Sequence, residues 1–145
     1  MANSFTEAWL VGPLSTSFYT RTYKPPVPIT TRAVLVFVHG YLEHVGRYEG
    51  AHGRWAKQGV AVFTYDERGF GRTALDEEHR SAGSGYGRTG GATERMLDLE
   101  WALKHARSEI PGVPLFLMGH SMVRGCARVS VGFHKVISHR AEDLR

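Results

Sequence analysis

A serine within a glycine-containing turn pattern is the residue of this sequence best suited to chemistry. Residues Gly119-His120-Ser121-Met122-Val123 match the first four of the five positions of the G-x-S-x-G pattern. This pattern forms a sharp turn from a strand into a helix, and the turn exposes a serine hydroxyl that can attack a carbonyl carbon. Because the backbone folds tightly beneath the serine, both flanking positions require small residues. Gly119 meets this requirement, whereas Val123 departs from it.

Apolar segments before this turn predict the strands of a sheet. Leu115–Met118 leads directly into the turn and predicts a strand buried on both faces, since it has no polar residue and no clear alternation. Two β-branched segments, Ala33–Val38 and Val60–Tyr65, predict further central strands. Nearer the N-terminus, Glu7–Leu10 and Ser17–Tyr23 are rich in aromatic residues and threonine, and they predict an antiparallel pair.

Segments with apolar residues at helical spacing lie between these strands. Arg47–Gln58 predicts a short helix, and Thr73–Gly91 predicts a long loop because it is rich in glycine, serine and charge. A second helix, with Thr89 or Thr93 as its N-cap, is predicted from one apolar stripe. The stripe consists of Met96, Leu99, Leu103, Ala106 and Ile110.

The order of these elements predicts an α/β fold. Strands that alternate with helices form a mostly parallel sheet with right-handed crossovers, and ligands bind at the carboxyl ends of its strands. Tyr41, Gly69 and Ser121 each follow a predicted strand, so we expect all three at that edge of the sheet.

Composition narrows the class of protein. The 145 residues, 42% hydrophobic and 22% charged, predict one globular domain or part of one. The net charge of +4 comes mainly from residues 122–145, and a short basic terminus is expected to be solvated, so no nucleic-acid partner is predicted. A single cysteine, Cys126, excludes an internal disulfide and a thiolate metal cluster. No signal peptide and no segment of ~18 apolar residues are evident, which predicts a cytoplasmic protein without a membrane span.

Four segments between about residues 5 and 122 read VFVHGYLEHVGRY, VAVFTYDERGFGRT, EWALKHARSEIPGVPLF and LMGHSM. Together they resemble the α/β-hydrolases, and most closely their monoacylglycerol lipase-like and serine aminopeptidase-like branch. The H-G-x-x-E-H-x-x-R-Y block of His39–Tyr48, combined with the G-H-S-M turn, is the most specific part of the resemblance. It implies the N-terminal half of an α/β-hydrolase sheet and hydrolysis of a carboxylic ester, such as a monoacylglycerol or similar lipid ester. It also implies that no cofactor and no metal are used.

The resemblance assigns roles to individual residues. It implies that Ser121 is the nucleophile and that the backbone N–H groups of Tyr41 and Met122 form the oxyanion hole. We expect His39 to be structural, because it lies in the loop and not at the family's late histidine position. Asp66 is expected to hold its loop and not to serve as the acid of a catalytic triad. A lipid ester is the implied partner, which leaves peripheral contact with a membrane or lipid droplet open.

After Met122 the sequence departs from the family pattern. Val123 places a branched side chain at the closest approach of strand and helix, where overpacking costs about 1–3 kcal/mol. Arg124 places a cation at the positive end of the expected helix. Residues 123–145 are therefore predicted to be a divergent basic tail, poorly ordered, that follows a partial hydrolase domain in residues 1–122.

The catalytic acid and histidine have no match in this tail. The family carries them after the serine in the order acid, then histidine, whereas Glu142 and Asp143 follow His134 and His139. Only residues 129–131 have a strand-like pattern, so the later strands are expected to be absent. The first hypothesis is a truncated hydrolase that is weakly active or inactive. Two alternatives are an enzyme whose base comes from a second chain, and a non-catalytic fragment that docks on a full-length hydrolase through its open sheet edge.

Overall fold

Six strands form one mixed sheet in the computed structural model, which describes residues 4–121 and the backbone of residues 135–139. The strands are β1 Thr6–Val11, β2 Ser17–Tyr23, β3 Ala33–Val38, β4 Val60–Tyr65, β5 Leu115–His120 and β6 Lys135–His139. Their order across the sheet is β1-β2-β4-β3-β5-β6. β1 and β2 pair in antiparallel fashion, as do β2 and β4, while β3 is parallel to β4 and β5 and β5 is parallel to β6. The predicted α/β class is confirmed.

Within residues 4–121, three α-helices lie between the strands: α1 Glu49–Lys57, α2 Gly71–Leu75 and α3 Ala92–Glu109. A 3-10 turn, Val45–Tyr48, precedes α1 and includes the first two residues of the segment predicted as one helix, Arg47 and Tyr48. α2 begins just before the predicted long loop and ends inside it. The N-cap of α3 is Gly91, and not Thr89 or Thr93, because the Glu94 carboxylate accepts a hydrogen bond from the Gly91 N–H at 2.8 Å.

The two helical layers bury the sheet unequally. On the α3 side, Leu115 and Leu117 of β5 pack in a core with residues of β3, β4 and α3. On the α1 side, Phe116 and Met118 are only partly buried against a smaller cluster that includes Ala56. The prediction that β5 is buried on both faces is therefore correct for one face only, since α1 covers β5 incompletely.

The far edge of β5, which was expected to be open, is paired with β6. Phe116 lies opposite Lys135 and His120 lies opposite His139 in a parallel register. The prediction that later strands are absent is thus wrong for this strand. A parallel neighbour requires a crossover of about a dozen residues, and residues 121–134 provide that length. The predictions about the order of the tail and about the side chains of Val123 and Arg124 otherwise lie outside the described residues.

Candidate active site

Ser121 directly follows β5 at the carboxyl edge of the sheet, and its side chain is exposed. Its φ is +58°, in the left-handed region, where a residue other than glycine costs about 1–3 kcal/mol. A strained turn at the end of a strand is what the G-x-S-x-G pattern requires of its serine. The hydroxyl is therefore presented to ligands by a backbone conformation that is maintained at a cost in stability.

The loop after β3 lies beside this turn, because Val38 pairs with Gly119 in neighbouring parallel strands. We call residues 39–43 the oxyanion loop, after the role that the family resemblance implies for Tyr41. Its Gly40 N–H donates to Glu43 Oε2 at 2.8 Å, and the Glu43 N–H donates to the Gly40 carbonyl at 3.2 Å. Within residues 4–121 and 135–139, the Tyr41 N–H has no acceptor. The second proposed donor, Met122, lies outside the described residues.

His39 is structural, as predicted. Its ring is fully buried, and Nε2 accepts a hydrogen bond from the Glu67 N–H at 2.9 Å. Nε2 therefore carries no proton, and Nδ1–H donates to the Gly40 carbonyl at 2.8 Å. Burial lowers the pKa of this imidazole below its ordinary value, which favours the neutral ring that this arrangement requires. The ring thus connects the oxyanion loop to the turn after β4.

Asp66 holds two backbone segments together, and both of its carboxylate oxygens accept hydrogen bonds. Oδ1 accepts from the Val45 N–H at 2.8 Å, and Oδ2 accepts from the Arg72 N–H at 2.7 Å. The residue is buried, so these backbone donors have no water as a substitute. The expectation that Asp66 holds its loop is confirmed.

A buried acid that the sequence did not reveal lies under the oxyanion loop. Burial raises the pKa of the Glu67 carboxyl to about 7, against the opposing charge of Arg95. Among the described residues Glu67 Oε2 has no hydrogen-bond donor, because His39 Nδ1, 3.5 Å away, donates to the Gly40 carbonyl instead. The residues next to Glu67 in the sequence do not indicate that it is buried, because its burial depends on tertiary packing.

Glu67 makes stability depend on pH in a defined direction. The unfolded chain releases this proton near the ordinary value of 4.5, whereas the folded protein keeps it to about pH 7. The folded state therefore binds more protons between these values, so this contribution to stability is lost as pH rises. We expect Glu67→Gln to gain stability relative to the unmodified protein from pH 4.5 to pH 7.5 in urea unfolding. A difference that stays constant over this range would contradict the assignment.

The remaining sequence candidates fall on residues that the structure does not describe, or of which it describes only the backbone. His134, Glu142 and Asp143 lie outside the described residues, and of His139 only the backbone position in β6 is described. Within the described part of the chain, no group of three or more histidine, cysteine or acidic residues is arranged to hold a metal ion. None of the described helices has the length and apolar character needed to cross a membrane.

Comparison with known proteins finds one matching family model and several lipases with similar sequences. The family model described as serine aminopeptidase, S33, matches residues 29–127. The monoacylglycerol lipase of Mycolicibacterium smegmatis is 32% identical over 94 residues, which are 65% of this chain and 30% of that protein. The monoglyceride lipase homolog of Monkeypox virus is 35% identical over 96 residues, which are 66% of this chain and 32% of that protein. The chain thus spans less than a third of the length of these curated relatives.

Solved structures share the fold at lower identity. A thermostable carboxyl esterase from Bacillus coagulans superposes with a TM-score of 0.75 at 24% identity, covering 94% of this chain and 44% of that one. A monoglyceride lipase from Saccharomyces cerevisiae gives 0.65 at 22% identity, covering 84% of this chain and 37% of that one. The family model covers most of the sequence, including the oxyanion loop and the serine turn, and the sheet has the same fold as these hydrolases. This chain therefore belongs to the serine aminopeptidase S33 family of α/β-hydrolases.

Proposed function

We propose that this protein is a serine hydrolase of carboxylic esters, with monoacylglycerols or similar lipid esters as its substrate class. Ser121 is the nucleophile, and the N–H groups of Tyr41 and Met122 stabilise the oxyanion that forms on the substrate carbonyl oxygen. One observation carries the proposal: an exposed Ser121 in a left-handed turn lies beside a loop whose Tyr41 N–H has no acceptor within the described residues. The lipases among the relatives support the substrate class.

The proposal includes a weak or absent turnover by the 145-residue chain alone. A serine hydroxyl attacks a carbonyl only when a base accepts its proton, and an acid must orient that base. His39 and Asp66 are both engaged in structural hydrogen bonds, so neither is available for these roles. A base supplied by a second chain remains the second hypothesis.

The test supplies a base from solution. We expect a fluorophosphonate probe to label the chain at background level in plain buffer and to label Ser121 when imidazole is added, because imidazole can reach the exposed hydroxyl. Ser121→Ala should stay at background under both conditions. A folded chain that gains no Ser121 labelling with imidazole would contradict the role of Ser121. Clear labelling without imidazole would instead show that a base is present, and His134→Ala and His139→Ala would then locate it.

A competition experiment tests the substrate class. A monoacylglycerol should slow the imidazole-dependent labelling of Ser121, whereas a short peptide with a free N-terminus should not. The reverse result would favour an aminopeptidase-type substrate.

The alternative of a docking fragment stays a second proposal. Because β6 pairs with β5 from Phe116 to His120, a partner strand would add to β6, the last described strand of the sheet, and not to β5.

A further inference from the structure

We infer that Glu43 is a positioning residue that fixes the oxyanion loop to the end of the strand that carries Ser121. The effect of Glu43 on catalysis rests on the proposed function. The attachment of the oxyanion loop to the end of β5 can be measured without any reaction. The Glu43 carboxylate contacts three separate elements.

Glu43 Oε2 collects hydrogen bonds from all three elements. It accepts from the Gly40 N–H of the oxyanion loop at 2.8 Å and from the Tyr48 hydroxyl in the 3-10 turn. His120 Nδ1, at the end of β5, lies 3.3 Å from the same oxygen. His120 immediately precedes Ser121, so this carboxylate connects the loop to the residue next to the nucleophile.

The carboxylate is shielded from water and stays ionised. The Glu43 side chain is 13% exposed, and Arg47 Nη1 lies 3.5 Å from its other oxygen. Burial alone would raise the pKa of this carboxyl, but the hydrogen bonds from Tyr48 and Gly40 and the charges of His120 and Arg47 outweigh it and lower the pKa. Hydrogen bonds to an ionised acceptor are stronger than those between neutral groups.

Gly40 allows the two elements to approach this closely. A Cβ atom at this position would lie 2.8 Å from His120 Nδ1 and 2.9 Å from Glu43 Oε2. Any side chain there would push the histidine and the carboxylate apart. The contact between the oxyanion loop and His120 therefore depends both on the missing side chain at Gly40 and on the carboxylate of Glu43.

The geometry also determines which N–H of the loop can serve an oxyanion. Glu43 takes the Gly40 N–H, while the Tyr41 N–H has no acceptor within the described residues. Leu42, with φ of +61°, lies in the left-handed region at the reversal that returns Glu43 to Gly40. A donor held in place before the substrate arrives needs no reorganisation during the reaction. Loss of Glu43 should therefore impair the chemical step more than probe binding.

The kinetic test separates these two effects. With imidazole as the base, kinact and KI of fluorophosphonate labelling are measured for Glu43→Ala, Glu43→Gln and a control, Glu100→Ala, which lies on α3. Glu43→Ala should lower kinact by about tenfold or more with KI within about twofold, because small displacements of a positioned group are costly to rate. Glu43→Gln keeps an oxygen for the Gly40 N–H and should recover most of the rate. A kinact for folded Glu43→Ala equal to that of Glu100→Ala would overturn the inference.

Amide exchange tests the attachment independently of Ser121. We expect the Gly40 amide to exchange slowly in the unmodified protein and at least tenfold faster in Glu43→Ala, while Leu35 in the core stays protected in both. His120→Ala should also speed Gly40 exchange, but less, since Gly40 and Tyr48 still bind Glu43. If Ser121 proves unreactive and Gly40 exchange still responds in this way, the proposed function fails and the attachment stands. Unprotected Gly40 in the unmodified protein would overturn the attachment.

Discussion

Gly71→Ala should lower the free energy of unfolding by about 2–5 kcal/mol, which combines backbone strain of about 1–2 with overpacking of about 1–3. Gly71 has φ of +51°, and an added Cβ would lie 2.2 Å from Asp66 Oδ2. That oxygen accepts the Arg72 N–H, and its partner oxygen accepts the Val45 N–H. The new methyl group must therefore displace a carboxylate that holds two backbone segments.

Gly87→Ala is the matched control for this effect. Gly87 has φ of +76°, also left-handed, but an added Cβ would meet no atom within 4 Å. Its cost should be limited to backbone strain of about 1–2 kcal/mol. Urea unfolding of both variants gives the comparison, and equal losses would show that the contact with Asp66 does not restrain Gly71.

Asp98→Ala should lower the free energy of unfolding by about 3–5 kcal/mol, because it leaves a partly buried cation without its partner. Arg68 Nη2 and Nε lie 2.8 Å and 3.0 Å from the two Asp98 carboxylate oxygens. The two side chains are 16% and 4% exposed, so water cannot replace the lost carboxylate easily. Arg68 also donates to Thr16 Oγ1 and to the Pro13 carbonyl, so the change should loosen the turn before β2 as well.

Glu100→Ala tests the same type of change on the same helix at an exposed site. Glu100 pairs with Lys104 at 2.8 Å, with side chains 40% and 68% exposed. An exposed pair of this type contributes about 0.3–0.5 kcal/mol. The difference between the two variants in thermal and urea unfolding therefore measures the effect of burial. A loss for Asp98→Ala as small as that for Glu100→Ala would contradict the predicted role of the Arg68 ion pair.

The sequence by itself determined the central strands and the place of the serine turn. β3 and β4 have the bounds predicted from the β-branched segments Ala33–Val38 and Val60–Tyr65. A central strand with both faces covered requires continuous apolar residues, so its own composition is a sufficient signal. Ser121 was located in the same way, because the turn pattern lies in consecutive residues. The resemblance to the α/β-hydrolases was likewise carried by short blocks of consecutive residues.

The tertiary structure decided the features that depend on residues distant in the chain. Glu43 and His120 are 77 positions apart, and their contact exists only because β3 and β5 are neighbours in the sheet. The burial of Glu67 likewise depends on packing that its sequence neighbours do not encode. The sequence analysis does not predict β6, because its five residues contain only two β-branched side chains, Val136 and Ile137, and form a strand by pairing with β5. Local composition determines which segments can form strands, whereas pairing and packing decide which partners they bring to the site.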